Sequence, residues 1–258
     1  MAGNRAFDEL VAEGESEPVA GWDFSWFAGR ATEERPAWGY SGLLAEAIAG
    51  AGAVLDIQTG GAEVLAGAIS RRSAGPPALL AATESWPPNV ALARQRLAPL
   101  GGTVTQVADP DPLPFGDASF DLVVSRHPTV VVWPEIARVL RPGGRYLSQQ
   151  IGAGSNRELY EYLMGPQPAS PAGSAERAAA AARAAGLVVD RLEEQALRVE
   201  FGDIGAVVYF LRKVLWTVPD FTVERYRDKL AALHAEIEAA GGFTSHAQRV
   251  LVDARRPA

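Results

Sequence analysis

Four short apolar runs set the frame of this chain, and each closes on polar residues. Val54-Leu55 ends at Asp56 and is followed by the small-residue loop Gln58-Thr59-Gly60-Gly61-Ala62. Ala78–Ala82 ends at Thr83-Glu84, Val104–Val107 at Ala108-Asp109, and Phe120–Val124 at Ser125-Arg126-His127. Runs this short, bounded by turn residues, read as buried strands, and helix-like segments lie between most of them. Strands alternating with helices predict an α/β fold on an open parallel sheet. Ligands bind such sheets at the carboxyl ends of the strands. Three of these four ends carry an acid.

The flanks follow other patterns. Leu43, Leu44, Ala47 and Ile48 recur at helical spacing and predict a helix from Tyr40 to Gly50. The parallel core then runs to about Ile151. Residues 165–174, rich in Gly, Pro, Ala and Ser, are expected to form a mobile loop. An alanine-rich helix over Ala175–Ala185 should stop at Gly186. Strands are expected at Leu187–Asp190, Ala196–Phe201 and Gln248–Asp253, and helices at Ile204–Trp216 and Val223–Ala240. Residues 1–40 hold Phe7, Trp22, Phe24, Trp26, Phe27, Trp38 and Tyr40. So short a segment cannot bury a core alone, yet these rings are too apolar to leave in water. The expected organisation is therefore an aromatic lid over residues 1–40, a binding core over 41–152, and cap helices with sheet-completing strands over 153–258. The lid should close over the open carboxyl edge of the sheet.

Composition narrows the function. The net charge of −7 opposes a general phosphate-binding surface. Cysteine is absent, so neither a disulfide framework nor a cysteine–zinc site is available. The three histidines, at 127, 234 and 246, are too scattered to suggest a metal site. The first residues lack the apolar core of a signal peptide, and no segment has the length of a membrane span. A cytoplasmic protein is the expectation.

Four segments in order carry a specific resemblance: Asp56–Ala62, Thr83–Asn89, Asp109–Phe115 closing on Ser119–Val123, and Glu135–Gly144. Together, over residues 53–151, they resemble the class I S-adenosylmethionine-dependent methyltransferases, in particular the methyltransferase domain of the ubiquinone/menaquinone-biosynthesis-like type. The resemblance implies a Rossmann-like, doubly wound, seven-stranded and mostly parallel sheet with an antiparallel last strand. It implies S-adenosylmethionine as cofactor and S-adenosylhomocysteine as product.

Site residues carry over position by position. Asp56 resembles the acid that orients the first loop and accepts from the methionine ammonium. The family's glycines at alternating positions are here Gln58, Gly60 and Ala62, with Thr59 also at the cofactor. Gln58 adds bulk and an amide at the methionine end. It either bonds the methionine moiety, points away, or marks a degenerate site. Glu84 resembles the acid that accepts from both ribose hydroxyls, with Ser85 and Trp86 beside it. Trp86 either covers adenine or packs the start of the next helix. Asp109 resembles the acceptor for the adenine amine, but Pro110 has no N–H to offer the ring. Ser125 and His127 end the fourth strand, where His127 is a candidate catalytic base or a residue that shapes the pocket. Trp26, Arg30, Trp38 and Tyr40 are candidate substrate or lid residues, with Arg30 otherwise an ordinary surface ion pair. The resulting expectation is a methyltransferase acting on a small molecule by in-line transfer, without nucleic-acid or membrane partners. The alternatives are an RNA methyltransferase and a cofactor-binding protein without catalysis.

Overall fold

The computed structural model describes residues 6–19, 24–168 and 173–258. In chain order the elements are α1 (Phe7–Ser16), β1 (Ala31–Glu33), α2 (Tyr40–Ala49), β2 (Ala53–Asp56), α3 (Glu63–Ile69), β3 (Leu79–Glu84), α4 (Pro87–Leu97), β4 (Thr103–Gln106), β5 (Phe120–Arg126), α5 (Trp133–Val139), β6 (Leu140–Ile151), α6 (Arg157–Met164), α7 (Ala175–Ala184), β7 (Val188–Phe201), α8 (Ile204–Lys213), α9 (Val223–Ala240) and β8 (Phe243–Arg255). The strands join in one eight-stranded sheet of order β1-β7-β8-β6-β5-β2-β3-β4. No described helix is long and apolar enough to cross a membrane.

Contacts divide the chain into two compact units, one of residues 36–153, 171–195 and 249–258, the other of residues 1–35, 154–170 and 196–248. In the first, β6, β5, β2, β3 and β4 pair in parallel, and the end of β8 runs antiparallel to β6 from Arg145↔Arg255 to Ile151↔Arg249. The strand alternation that sends successive side chains to opposite faces splits its core in two. Val54, Leu80, Leu122 and Val124 face α2, α3 and α4 with Leu44, Ile48, Leu65 and Leu97. Leu55, Ala81 and Val123 face α5 and α7 with Ile136, Val139 and Ala182. Because both faces are covered, β2, β3 and β5 carry near-continuous apolar runs, and the pattern was readable for that reason.

The second unit gathers α1, α6, α8 and α9 on β1 and the adjoining parts of β7 and β8. Every residue of α8 except Arg212 is buried. Leu10 and Val11 of α1 join Ile204, Val207, Val208 and Leu230 in its core. Asp203 caps α8 by accepting from the Ala206 amide at 2.9 Å, and Thr222 caps α9 by accepting from the Arg225 amide at 3.2 Å.

Several boundaries differ from the sequence expectation. The sheet has eight strands because Ala31–Glu33 adds antiparallel to Val199–Phe201. The two strand pieces at 187–190 and 196–201 are one continuous strand, β7. The helix starting at Ile204 ends at Lys213, and Val214–Trp216 turn away, leaving Leu215 two-thirds exposed at 66 %. Residues 1–35 belong with α6, α8 and α9, whereas Trp38 and Tyr40 belong to the parallel core. Of the loop expected to be mobile, residues 169–172 lie outside the described residues, as does Trp22.

Candidate functional site

The parallel sheet brings the ends of β2, β3 and β5, and the loop after β4, to one cleft. Ile57, Gln58, Thr83, Glu84, Val107, Asp109, Ser125, Pro128, Val130, Val132 and Tyr146 are among its lining residues. Asp56 closes β2 and is buried, and it accepts from the Thr59 hydroxyl at 2.7 Å. Burial pushes its carboxyl up to about 7, with the nearby Glu84 charge adding to the effect and the Thr59 bond and Arg126 opposing it. Glu84, also buried, accepts from the amides of Gly60 at 2.7 Å and of Ser85 and Trp86 at 3.0 Å each. Its carboxylate therefore ties the first loop to the start of α4, whose first positions are Pro87 and Pro88. Trp86 leaves 43 % of its surface in solvent. Asp109, raised by burial, takes hydrogen bonds from Thr129 and Ser85.

Gln58 and Ala62 both sit at positive φ, 56° and 62°. These are the two positions where the family's loop carries glycine, and the left-handed backbone that glycine favours is kept. The Gln58 amide is bonded at both ends. Its Oε1 accepts from the Thr129 amide at 2.6 Å and the Thr129 hydroxyl at 3.0 Å, and its Nε2 donates to the Val130 carbonyl at 2.6 Å. It thus turns to the loop after β5.

His127 lies at the head of that loop with φ at 56°. Its amide donates to the Gln149 carbonyl at 2.7 Å. The Trp38 indole, which can only donate, reaches Gln149 Oε1 at 2.9 Å. That fixes the Gln149 amide, so its Nε2 faces His127 Nε2 at 2.9 Å and donates to it. The network assigns the imidazole proton to Nδ1. Burial pushes the His127 pKa well below its ordinary value, and the charges of Arg126 and Arg249 push the same way. The ring is neutral at pH 7.

Beneath it, the Ser125 hydroxyl meets Tyr146 at 2.8 Å and Ser148 at 2.9 Å, and Tyr40 donates to the Ser125 carbonyl at 3.1 Å. Trp38 and Tyr40 are accordingly packed into the wall of this unit. Arg30 and Trp26 lie in the other unit. There Arg30 pairs with Asp203 and Glu13, each at 2.7 Å, with its guanidinium 4.0 Å above the Trp26 ring. Trp26 and Phe27 pack on Tyr209 at 5.0 and 5.1 Å between ring centroids.

Sequence reading missed Gln149, Tyr146 and Thr129. The signal for the first two is the polar Tyr146, Ser148, Gln149 and Gln150 inside a strand whose neighbours are buried apolar residues. Thr129 left none.

Residues 55–148 match the family described as a methyltransferase domain. No curated protein matches the chain. Among solved structures, the YcgJ protein of Bacillus subtilis is similar at 17% identity, covering 85% of this chain and 98% of its own, with a TM-score of 0.59. A geranyl diphosphate methyltransferase in complex with S-adenosylmethionine is similar at 14% identity, with 84% of each chain covered and a TM-score of 0.50. The [4+2]-cyclase SpnF is similar at 19% identity, covering 84% of this chain and 80% of its own, with a TM-score of 0.51. At these identities the likeness is one of fold.

Proposed function

We propose that this chain, a class I S-adenosylmethionine-dependent methyltransferase by its central domain and its fold, methylates a small organic molecule. The observation that carries the reading is the set of acids Asp56 at the end of β2, Glu84 at the end of β3 and Asp109 in the loop after β4, the last two lining one cleft with a largely apolar wall. The donor set fits the cofactor. Asp56 is a buried carboxyl that accepts from the Thr59 hydroxyl and keeps acceptor capacity suited to an ammonium group. Glu84 has lone pairs beyond its three amide bonds for ribose hydroxyls, and Asp109 can accept from an exocyclic amine.

When bound, S-adenosylmethionine supplies an electrophilic methyl group on a sulfonium, open to in-line displacement by an acceptor lone pair. The protein's part is positioning and exclusion of water. Pro128, Val130, Val131 and Val132 supply apolar wall. His127 is held by Gln149 with its Nε2 lone pair engaged, so it orients the wall and offers Nδ1–H as a donor. An acceptor that ionises readily, or whose proton passes to water, suits a site of this kind. The acidic net charge of −7 favours a small acceptor over RNA. The reading is tested by mass spectrometry of the purified protein for bound cofactor, followed by a panel of small acceptors scored by S-adenosylhomocysteine release. Methylation of RNA alone, or tight cofactor binding with no transfer to any acceptor, overturns it.

Asp56 gives this reading a pH signature. Its folded pKa of about 7 lies above the unfolded value near 3.9. The stability associated with the protonated form is present below the unfolded pKa and lost as pH rises through 7. A cationic group bound beside it prefers the ionised form. Affinity for S-adenosylhomocysteine, which keeps the ammonium, is therefore expected to rise between pH 6 and 7 and level off above 8, with proton release on binding. Calorimetry in buffers of different ionisation enthalpy measures that release, and Asp56→Asn should abolish it.

A further inference from the structure

We propose that Gln58 is a positioning residue that latches the loop of residues 127–132 across the cofactor cleft, and that this latch opens to admit the cofactor. The inference rests on the reading of this cleft as the cofactor site and adds how it is entered. Three observations carry it. First, the Gln58 amide spends both of its ends on the loop backbone, accepting from Thr129 and donating to Val130, each at 2.6 Å. The Thr129 hydroxyl lies 3.0 Å from Gln58 Oε1 and 3.4 Å from Asp109 Oδ2, its single proton shared between the two acceptors. One network thereby spans the ends of β2 and β5 and the loop after β4.

Second, the closed arrangement leaves a cavity of about 20 Å³. That is room for roughly one water molecule, whereas ligand pockets run to about 300–1,000 Å³. Something lining the cleft has to move for a nucleoside-sized ligand to enter.

Third, the lining divides into parts that can and cannot move. Thr83, Glu84, Ser125 and Tyr146 are held in the hydrogen-bonded ladder of β3, β5 and β6. Pro128, Val130, Val131 and Val132 belong to a segment without regular structure, and Val130 is already 38 % exposed. Withdrawal of that segment breaks the Gln58 bonds. Gln58 in turn occupies a position where glycine would leave the loop untethered, and it does so at a positive φ that costs a side-chain-bearing residue energy.

The latch and the cofactor then compete, and the competition is readable in rates. Trp86, exposed beside Glu84, serves as the fluorescent reporter for stopped-flow mixing of the full chain with S-adenosylhomocysteine. Gln58→Gly, which also relieves the backbone, is expected to raise the association rate at least tenfold without weakening equilibrium affinity. Gln58→Glu keeps the size and the acceptor but loses the donor to Val130, and should raise it as well. Hydrogen exchange supplies a test without a variant: in the wild-type protein the Thr129 amide should exchange faster once S-adenosylhomocysteine is bound. An unchanged association rate in both variants overturns the latch. So does a loss of affinity confined to faster dissociation, because Gln58 would then be touching the cofactor. Slower Thr129 exchange on binding overturns it too. Failure of the wild-type chain to bind S-adenosylhomocysteine at all counts against the cofactor site itself.

Discussion

Glu84→Ala is expected to weaken S-adenosylhomocysteine binding at least tenfold by calorimetry, and to lower the thermal midpoint of the protein at the same time. The first effect follows from the proposed pairing with the ribose. Hydrogen bonds to a charged group contribute about 1.5–3 kcal/mol each, and about 1.4 kcal/mol is tenfold in affinity. The second effect is visible without any ligand. The same carboxylate gathers the amides of Gly60, Ser85 and Trp86, and alanine leaves all three without that acceptor. The two effects separate in Glu84→Gln. Its single amide oxygen can keep part of the amide cluster but brings an NH₂ group against the remaining donors, so its affinity should fall between the other two. A folded alanine variant with unchanged affinity would falsify the ribose assignment.

The largest expected loss of stability lies in the other unit, at Gly205→Val. Helices α1 and α8 cross there through two glycines. A Cβ on Gly205 would lie 2.6 Å from the Leu10 carbonyl oxygen, and one on Gly14 would lie 2.5 Å from the Gly205 carbonyl oxygen. Both obstacles are backbone and cannot rotate away. The helices would have to separate, prising Leu10 and Val11 from a core in which both are almost fully buried. Overpacking of this kind costs about 1–3 kcal/mol and occasionally more, and the added disturbance of the Arg30–Asp203 pair beside it places valine at the upper end. Chemical denaturation should show a loss of about 3 kcal/mol, with Gly205→Ala intermediate. A valine variant as stable as the wild type would mean that the helix crossing does not depend on its glycines.

How much of this was legible in the sequence depends on where the information sits. Strands β2, β3 and β5 were legible because strands covered on both faces carry near-continuous apolar runs, and the ends of the first two were legible because Asp56 and Glu84 interrupt that pattern. The caps of α8 and α9 use ordinary signals, Asp203 and Thr222. The strand Ala31–Glu33 was not legible. It is short, half polar, and defined only by its pairing with Val199–Phe201. The role of the Gln58 amide was equally hidden, since two of its three partners are backbone atoms some seventy positions away, and backbone atoms leave no mark on side-chain patterning. Arg30 was ambiguous for a related reason. Its neighbours in sequence, Glu33 and Glu34, were the obvious partners, but the fold supplies Glu13 and Asp203.

The two units are cut from six alternating stretches of chain, the last of which is only residues 249–258. That stretch forms the antiparallel neighbour of β6, so the unit that holds the cleft is completed by residues about a hundred positions beyond the strand they cover. A chain lacking residues 249–258 would carry Asp56, Glu84 and Asp109 with the β6 edge of the sheet open, a surface prone to pairing with other chains. Removal of residues 249–258 therefore bears on the sheet itself.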